Sequence, residues 1–412
     1  MWLLDKFLRR LVQTGPLVII EAKGTRHEYG VPDPKRRPVV VRFLDASAPN
    51  AIARNPRLGL GEAYMEGRFV IEEGDIRALL DLARANRPWE RGGGTRAKGL
   101  VRRGAAQLVG GLDRLNWQRR SRRNVAHHYD LSDRLYDLFL DSDRQYSCAY
   151  FNDPANGLEQ AQADKKAHIA AKLYLSPGQR VLDIGCGWGG TALYLNRVAD
   201  VDVLGITLSE EQLKVARTRA AEAGVAERVK FELIDYRQVE GRFDRIVSIG
   251  MFEHVGPRHY RTFFRKCRSL LTPEGVMLLH TIGRLGKPGV TDPWTAKYIF
   301  PGGYNPALSE IVEASQSVKL IAADVETLRL HYAHTLDLWY DRAVAARTEI
   351  ETLYDARFYR MWLFYLAGAS SAFRYGGLCN YQIQYIRDRS VLPITRDYLQ
   401  SEEARLRSLS AP

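Results

Sequence analysis

Apolar and polar positions change rhythm along this chain. Residues 17–73 carry short apolar runs, LVII, VVVRFL and GRFVIE, divided by clusters of Gly, Pro and Asn. Short, punctuated runs of this kind predict strands in a small α+β unit. DIRALLDLARAN, residues 75–86, has its apolar positions at helical spacing and predicts a helix. From about residue 124 the pattern alternates. RVLDI (180–184), DVLGIT (202–207), VKFELI (229–234), FDRIVSI (243–249) and GVMLLHTI (275–282) predict strands. Amphipathic stretches such as EEQLKVARTRAAEAG (210–224) predict helices between them. Continuous apolar strands alternating with helices predict a parallel sheet covered on both faces. Residues 333–375 predict two helices rich in aromatics, and no internal repeat is present.

Composition narrows the class. At 45% hydrophobic and 26% charged over 412 residues, the chain is neither disordered nor a disulfide scaffold, and its length suggests two or three domains. Cys148, Cys186, Cys267 and Cys379 form no CxxC pair, which excludes a zinc pattern and fits a reducing cytosol. No metal is expected. MWLLDKFLRRLV is too interrupted by Asp5, Lys6, Arg9 and Arg10 for a signal-peptide core and reads as a short amphipathic helix. No apolar run reaches the ~20 residues that span a bilayer. The formal charge of +12 is concentrated: residues 84–123 hold twelve Lys and Arg against two acids. PWERGGGTRAKG within that block has the Gly-rich composition of a linker.

One motif carries chemistry by itself. Strand RVLDI runs into Gly185-Cys186-Gly187-Trp188-Gly189-Gly190 and then a helix. Glycines at such a turn let backbone N–H groups approach a ligand at a helix N-terminus. Asp183 before the first glycine gives D-x-G-x-G, the pattern typical of S-adenosylmethionine methyltransferases. The second strand ends in Gly205-Ile206-Thr207-Leu208-Ser209, without the acid that grips a nicotinamide dinucleotide's ribose. A plain tight turn and a nicotinamide site remain the alternatives at this point.

Further segments follow in order: HYDLS (128–132), YSCAYF (146–151), VLDIGCGWGG, GITLSEEQ, SIGMFEHVG, LLHTIG, FPGG and HYAHTLDLW. In this order they closely resemble the cyclopropane-fatty-acyl-phospholipid synthase family, with the mycolic acid cyclopropane synthases as cousins. The resemblance covers residues 124–390 strongly and LGLGEAYMEGRFV (58–70) more faintly. It implies a class I methyltransferase fold, a Rossmann-like, seven-stranded, mostly parallel sheet with a helical cap, plus the small N-terminal domain. It implies S-adenosylmethionine as methyl donor and bicarbonate as general base, acting on the cis double bond of an unsaturated phospholipid. Ring closure needs a base that takes a proton from the newly added methyl group, and a strong nucleophile beside a carbocation would be alkylated.

The resemblance assigns the bicarbonate to Cys148 (backbone), Glu253, His280, Ile282 (backbone) and Tyr332. It assigns the methyl donor to Tyr146, Ser147, Asp183, Gly185, Gly187 and Gly189, with Thr207 and Gln212 in place of the ribose acid. Asp235 and Tyr236 are candidates around the adenine. Each has a plainer reading: Glu253 as a loop acid, His280 as a satisfied core histidine, Tyr332 as a core aromatic. Of Trp339, Tyr340, Phe358, Tyr359, Trp362, Phe364, Tyr365 and Phe373, most are core residues and a few line an acyl tunnel, where an aromatic face favours a cation. Many relatives carry a cysteine where Ala369 stands, so a thiol from that helix plays no part.

The division expected is a lipid-associated N-terminal domain (1–86), a basic linker (87–123) and a catalytic domain with its acyl-chain cap (124–400). The block 84–123 could serve RNA, but only Trp89 and Trp117 lie in it, too few for base stacking. An anionic phospholipid surface is the better partner, at ~1 kcal/mol per basic residue. The enzyme is thus expected in the cytoplasm at the inner face of the membrane, without nucleic acid, with a homodimer suggested by the resemblance. Methylation of a lipid without ring closure and a non-enzymatic lipid-binding protein are the rival readings.

Overall fold

The structure is a computed structural model and describes residues 1–93 and 131–409. Most of the basic block and His128, Tyr129 and Asp130 of the HYDLS motif lie outside the described residues. The chain forms two compact units: Met1–Lys98, Asp292–Ile299 and Tyr332–Leu378 make one; Gly99–Thr291, Phe300–His331 and Cys379–Pro412 make the other.

The first unit holds a four-stranded sheet of order β2-β1-β3-β4, with β1 Leu17–Ile20, β2 Arg26–Tyr29, β3 Val39–Phe43 and β4 Phe69–Glu73. Strand β1 runs parallel to β3 and antiparallel to β2, and β4 is antiparallel to β3. Leu4, Leu17, Ile19, Val39, Val41, Phe43, Phe69 and Leu82 form its core. Asp75 caps the helix Ile76–Ala85, accepting from the Ala78 amide at 2.7 Å. The long helix Ala356–Arg374 packs in this unit, where Arg374 pairs with both Asp81 and Asp337 and Ser371 Oγ donates to the Leu80 carbonyl at 3.3 Å. The aromatic-rich helices expected to cap the catalytic domain therefore cluster with the N-terminal segment. They number three, His331–Ala345, Arg347–Leu353 and Ala356–Arg374, because the chain breaks at Ala346 and again before the Asp355 cap.

The second unit holds β5 Arg180–Ile184, β6 Asp202–Thr207, β7 Val229–Leu233, β8 Phe243–Ile249, β9 Leu271–Arg284, β10 Ile321–Leu328 and β11 Leu378–Ile386. Their order is β10-β11-β9-β8-β5-β6-β7. Strands β5 to β9 pair in parallel, and β10 is antiparallel to β11. The five strands expected from their apolar runs are all present; β10 and β11, which the pattern did not single out, complete the sheet. Successive residues feed opposite faces. Leu182, Ile246 and Met277 join one core cluster, Val181, Val247 and Leu278 the other, which is why these runs are continuously apolar. No described helix is long and apolar enough to cross a membrane.

Phe231 of β7 wedges beneath the glycine turn. A Cβ on Gly205 of β6 would stand 2.5 Å from its ring, and one on Gly189, where φ is +84°, would stand 2.7 Å away. Gly205→Ala should therefore destabilise the enzyme by about 1–3 kcal/mol through overpacking, read from urea unfolding; an unchanged midpoint would show that the wedge can yield.

Candidate active site

Strand order reverses at β5, with β6 and β7 on one side and β8 and β9 on the other. Crevices at such a reversal open at the carboxyl ends of the strands. A cavity of about 840 Å³, counting its open mouth, lies there. Its walls include Gly185 and Gly187 after β5, Thr207 and Gln212 beyond β6, Asp235, Tyr236 and Arg237 after β7, and Met251, His254 and His259 after β8.

The glycine turn is braced from below, because the amides of Gly185 and Cys186 both donate to the Ile206 carbonyl, at 2.9 and 3.0 Å. Gly185, Gly187 and Gly189 have φ of +87°, +55° and +84°, a region that only glycine enters without strain. Among the described residues the amides of Gly187 and Trp188 have no protein acceptor, which leaves donors at the head of the helix Gly190–Ala199 for a polar ligand. Across the cavity, Thr207 Oγ1 donates to Gln212 Oε1 at 3.2 Å and accepts from the Ser209 amide at 3.1 Å. This wall is neutral and polar. The Asp235 carboxylate is committed to Arg237, with contacts of 2.7 and 2.6 Å. Burial holds His254 neutral, with its pKa lowered to about 4.

The YSCAYF segment is fastened by the helix Leu158–Leu173. Buried Lys165 donates to Gln145 Oε1 at 2.6 Å and Ser147 Oγ at 2.9 Å, and Gln162 Nε2 donates to the carbonyls of Gln145 and Ser147. Tyr150 is stacked between His168, with centroids 4.0 Å apart, and His331 at 5.0 Å. Tyr146 packs edge-on against Tyr136 at 5.3 Å. Burial pulls Lys165 down to about 8 and pushes Asp183 up to about 7; Asp183 Oδ2 is buried without a partner. Asp143 pairs with Lys166 and Arg219, and a Cβ on Gly190 would strike its carboxylate at 2.5 Å. Burial alone would raise the Asp143 carboxyl, but the two cations hold it below its ordinary value.

Glu253 lies on the turn after β8. Its Oε1 accepts from the Ile282 amide at 2.6 Å, while Oε2 is buried without a partner, and burial raises the carboxyl to about 7. Ile282 thus spends its amide on Glu253 in this structure. His280, two residues earlier on β9, has both ring nitrogens held: Asn380 at 2.9 Å from Nε2 and Gln382 at 3.1 Å from Nδ1. Burial lowers its pKa to about 3, so the ring is neutral. A neutral imidazole offers one N–H and one lone pair. Gln382 gives its oxygen to Lys172 at 3.0 Å and its nitrogen to Nδ1, so the N–H belongs on Nε2, and the Asn380 amide turned about its axis would bring Oδ1, otherwise buried without a partner, to accept it. Lys172 pairs onward with Glu326, which bonds His168 Nε2 at 2.7 Å, and His168 Nδ1 bonds Glu403 at 2.9 Å. Despite burial, His168 and Lys172 hold Glu326 well below its ordinary value.

Six of the residues assigned to the methyl donor, Gly185, Gly187, Thr207, Gln212, Asp235 and Tyr236, line the one cavity. Asp183 and Gly189 stand behind the turn, and Tyr146 and Ser147 belong to the fastened loop. Cys148 is buried, its thiol directed at the Ala149 carbonyl at 3.3 Å. Tyr332 falls in the first unit, packed on Phe373 at 4.8 Å and Trp339 at 5.8 Å. Sequence reading missed Arg237, Met251, His254 and His259 in the cavity, and Lys165 and Lys172 behind it. The lysines had a signal: Gln162, Lys165, His168 and Lys172 recur at helical spacing, a stripe that resembles a solvated face.

A parallel sheet with this reversal, a glycine turn with open amides and a neutral second-strand wall define a class I S-adenosylmethionine-dependent methyltransferase. Residues 116–383 match the family model of mycolic acid cyclopropane synthetase, and the chain belongs to that family. It is 39% identical over 358 residues to the cyclopropane-fatty-acyl-phospholipid synthase of Escherichia coli (strain K12), covering 85% of this chain and 88% of that one. It is 35% identical over 403 residues to the tuberculostearic acid methyltransferase UfaA1 of Mycobacterium tuberculosis, covering 93% and 91%. Among solved structures, the mycolic acid cyclopropane synthase CmaA1 complexed with SAH and CTAB superposes with a TM-score of 0.61 at 35% identity, over 66% of this chain and 99% of that one. Coclaurine N-methyltransferase, at 19% identity and a TM-score of 0.65, shares the fold.

The Glu253 carboxyl gives a pH prediction. Its folded pKa of about 7 stands above the ordinary 4.5, so the folded protein keeps a proton that the unfolded chain has lost between those values. Stability from this group therefore falls as pH rises through that window and is lowest above it. Glu253→Gln should gain roughly 1–3 kcal/mol over wild type at pH 8 relative to pH 4.5. Chemical denaturation across the range tests this, and a difference independent of pH would place the carboxyl in contact with water.

Proposed function

We propose that this enzyme is a cyclopropane-fatty-acyl-phospholipid synthase that adds a methylene bridge across the cis double bond of an unsaturated phospholipid acyl chain. The observation that carries the reading is the match to the Escherichia coli synthase, which is longer than the family segment and so extends into the N-terminal unit. S-adenosylmethionine, when bound, supplies an electrophilic methyl group. The amides of Gly187 and Trp188 and the Thr207–Gln212 pair would hold the donor, while Ile184, Ile206, Ile234 and Val255 exclude water from it. An isolated alkene is a weak nucleophile, so no better one should compete. Burial raises the Cys186 thiol in the glycine turn well above its ordinary range, which keeps it protonated beside the donor.

Bicarbonate, when bound, supplies the base that removes a proton from the newly added methyl group. Glu253 fits such an anion: a carboxyl with a pKa of about 7 keeps a proton near neutrality, and its unpartnered Oε2 is placed to donate it as a hydrogen bond. The Ile282 amide becomes available to an anion only if Glu253 Oε1 releases it. His280 would act as an oriented neutral ring with its N–H on Nε2, and the Cys148 backbone completes the proposed set within this unit. The enzyme works at the inner face of the membrane, with the basic block 84–123 meeting anionic headgroups. The match to the tuberculostearic acid methyltransferase supports a second reading, methylation without ring closure.

Mass spectrometry of unsaturated phospholipid vesicles incubated with enzyme and S-adenosylmethionine tests both. A gain of one CH2 in a chain that resists ozonolysis is the expected product; the same gain in an ozone-cleavable chain overturns ring closure in favour of the second reading. Glu253→Gln should retain binding of the methyl donor and lose most turnover, on the order of a hundredfold; full turnover would sink the role given to Glu253.

A further inference from the structure

The helix Trp2–Leu11 buries one face and exposes the other, and the exposed face is not polar. Leu4 is buried and Leu8 and Leu11 are partly buried against the core of the first unit. Asp5 and Arg9 border that buried face, since Asp5 accepts from Tyr29 Oη at 2.9 Å and pairs with Arg9 at 3.1 Å, and the exposed Arg9 lies over the Tyr29 ring. At helical spacing the remaining positions, 2, 6 and 10 beside 3 and 7, form two adjoining ridges on the outside. Trp2 is 70% exposed, Leu3 47% and Phe7 40%. Lys6 and Arg10 lie among them, Lys6 with its ammonium over the Trp2 ring at 5.4 Å. Among the described residues neither has an acidic partner.

We propose that this outer face is a docking surface for an anionic phospholipid bilayer. Three large apolar side chains in one arc form a patch that a soluble surface does not need. Interleaved cations distinguish it from an apolar face awaiting another protein. Indole, phenyl and isobutyl groups enter the headgroup boundary while Lys6 and Arg10 remain at the phosphates. The helix is already held by its other face, so docking orders nothing new. This proposal rests on the reading that the substrate is a membrane phospholipid.

The full-length enzyme carrying Trp2→Ser, Leu3→Ser and Phe7→Ser, and a second variant carrying Lys6→Glu and Arg10→Glu, test it. Partition is measured by sedimentation with vesicles of unsaturated phosphatidylglycerol and phosphatidylethanolamine. Both variants should lose roughly tenfold or more of vesicle partition, the wild type weakening with salt. Turnover on detergent-dispersed lipid should be unchanged, since these side chains face away from their unit's core. Partition equal to wild type in both variants overturns the proposal, as does a dimer that the serine variant converts to monomer. Absence of methylated lipid from wild type with dispersed substrate, alongside partition that still depends on this face, refutes the proposed reaction and supports the docking surface.

Discussion

Two buried ammonium groups organise the catalytic unit. Lys165 and Lys172 lie on the inward side of the helix Leu158–Leu173, fully and almost fully shielded from water. A charge in that position must be met by acceptors with good geometry, or its desolvation is not offset. The protein answers in two directions. Lys165 draws in Gln145 and Ser147, and with them the loop that carries Cys148 and Tyr150. Lys172 draws in Glu326 of β10 and Gln382 of β11, and through Gln382 fixes which nitrogen of His280 carries the proton. One helix therefore sets both the loop beside the glycine turn and the orientation of a ring on β9. Removing either lysine would leave oriented polar groups without a partner, so the two halves of the site stand or fall with it.

The site also avoids nucleophilic charge. Near the methyl-donor cavity the potential anions are protonated or paired: Cys186 stays a thiol, and Asp235 is locked to Arg237. Burial keeps the Glu253 carboxyl protonated up to neutrality, and among the described residues no cation offsets it. That is an unusual inventory for an enzyme that handles a strong electrophile. A stray anion would be alkylated by such a donor, so protonated or paired groups around the cavity spare it for the substrate.

The sheet was readable because period and burial agree. RVLDI, DVLGIT and FDRIVSI are buried on both faces, and each became the strand its run predicts. Strands β10 and β11 escaped because they carry Asp324, Glu326, Asn380, Gln382 and Gln384, polar residues that point into the buried network and break the apolar run. The same network hid Lys165 and Lys172, since a polar stripe at helical spacing normally faces water. The cofactor wall was legible from its glycines and from a missing acid, which are local features. The partners of His280 were not, because Asn380 and Gln382 are a hundred residues away and are joined to it only by the sheet.

The composition of the first unit has a consequence for how the chain is made. Its four short strands emerge from the ribosome early, yet the helices carrying Trp339 and Trp362, both fully buried, come from residues 332–378. The unit is therefore discontinuous, interrupted by nearly the whole methyltransferase sheet. Only the face that receives those helices waits while the stretch 99–331, most of it belonging to the other unit, is translated. The amino-terminal residues carry a core of their own, from Leu4 to Leu82, and the late helix Ala356–Arg374 adds to it through Ser371 on Leu80 and Arg374 on Asp81. Completion of this unit is therefore a late event in synthesis, possible only once residue 378 has emerged.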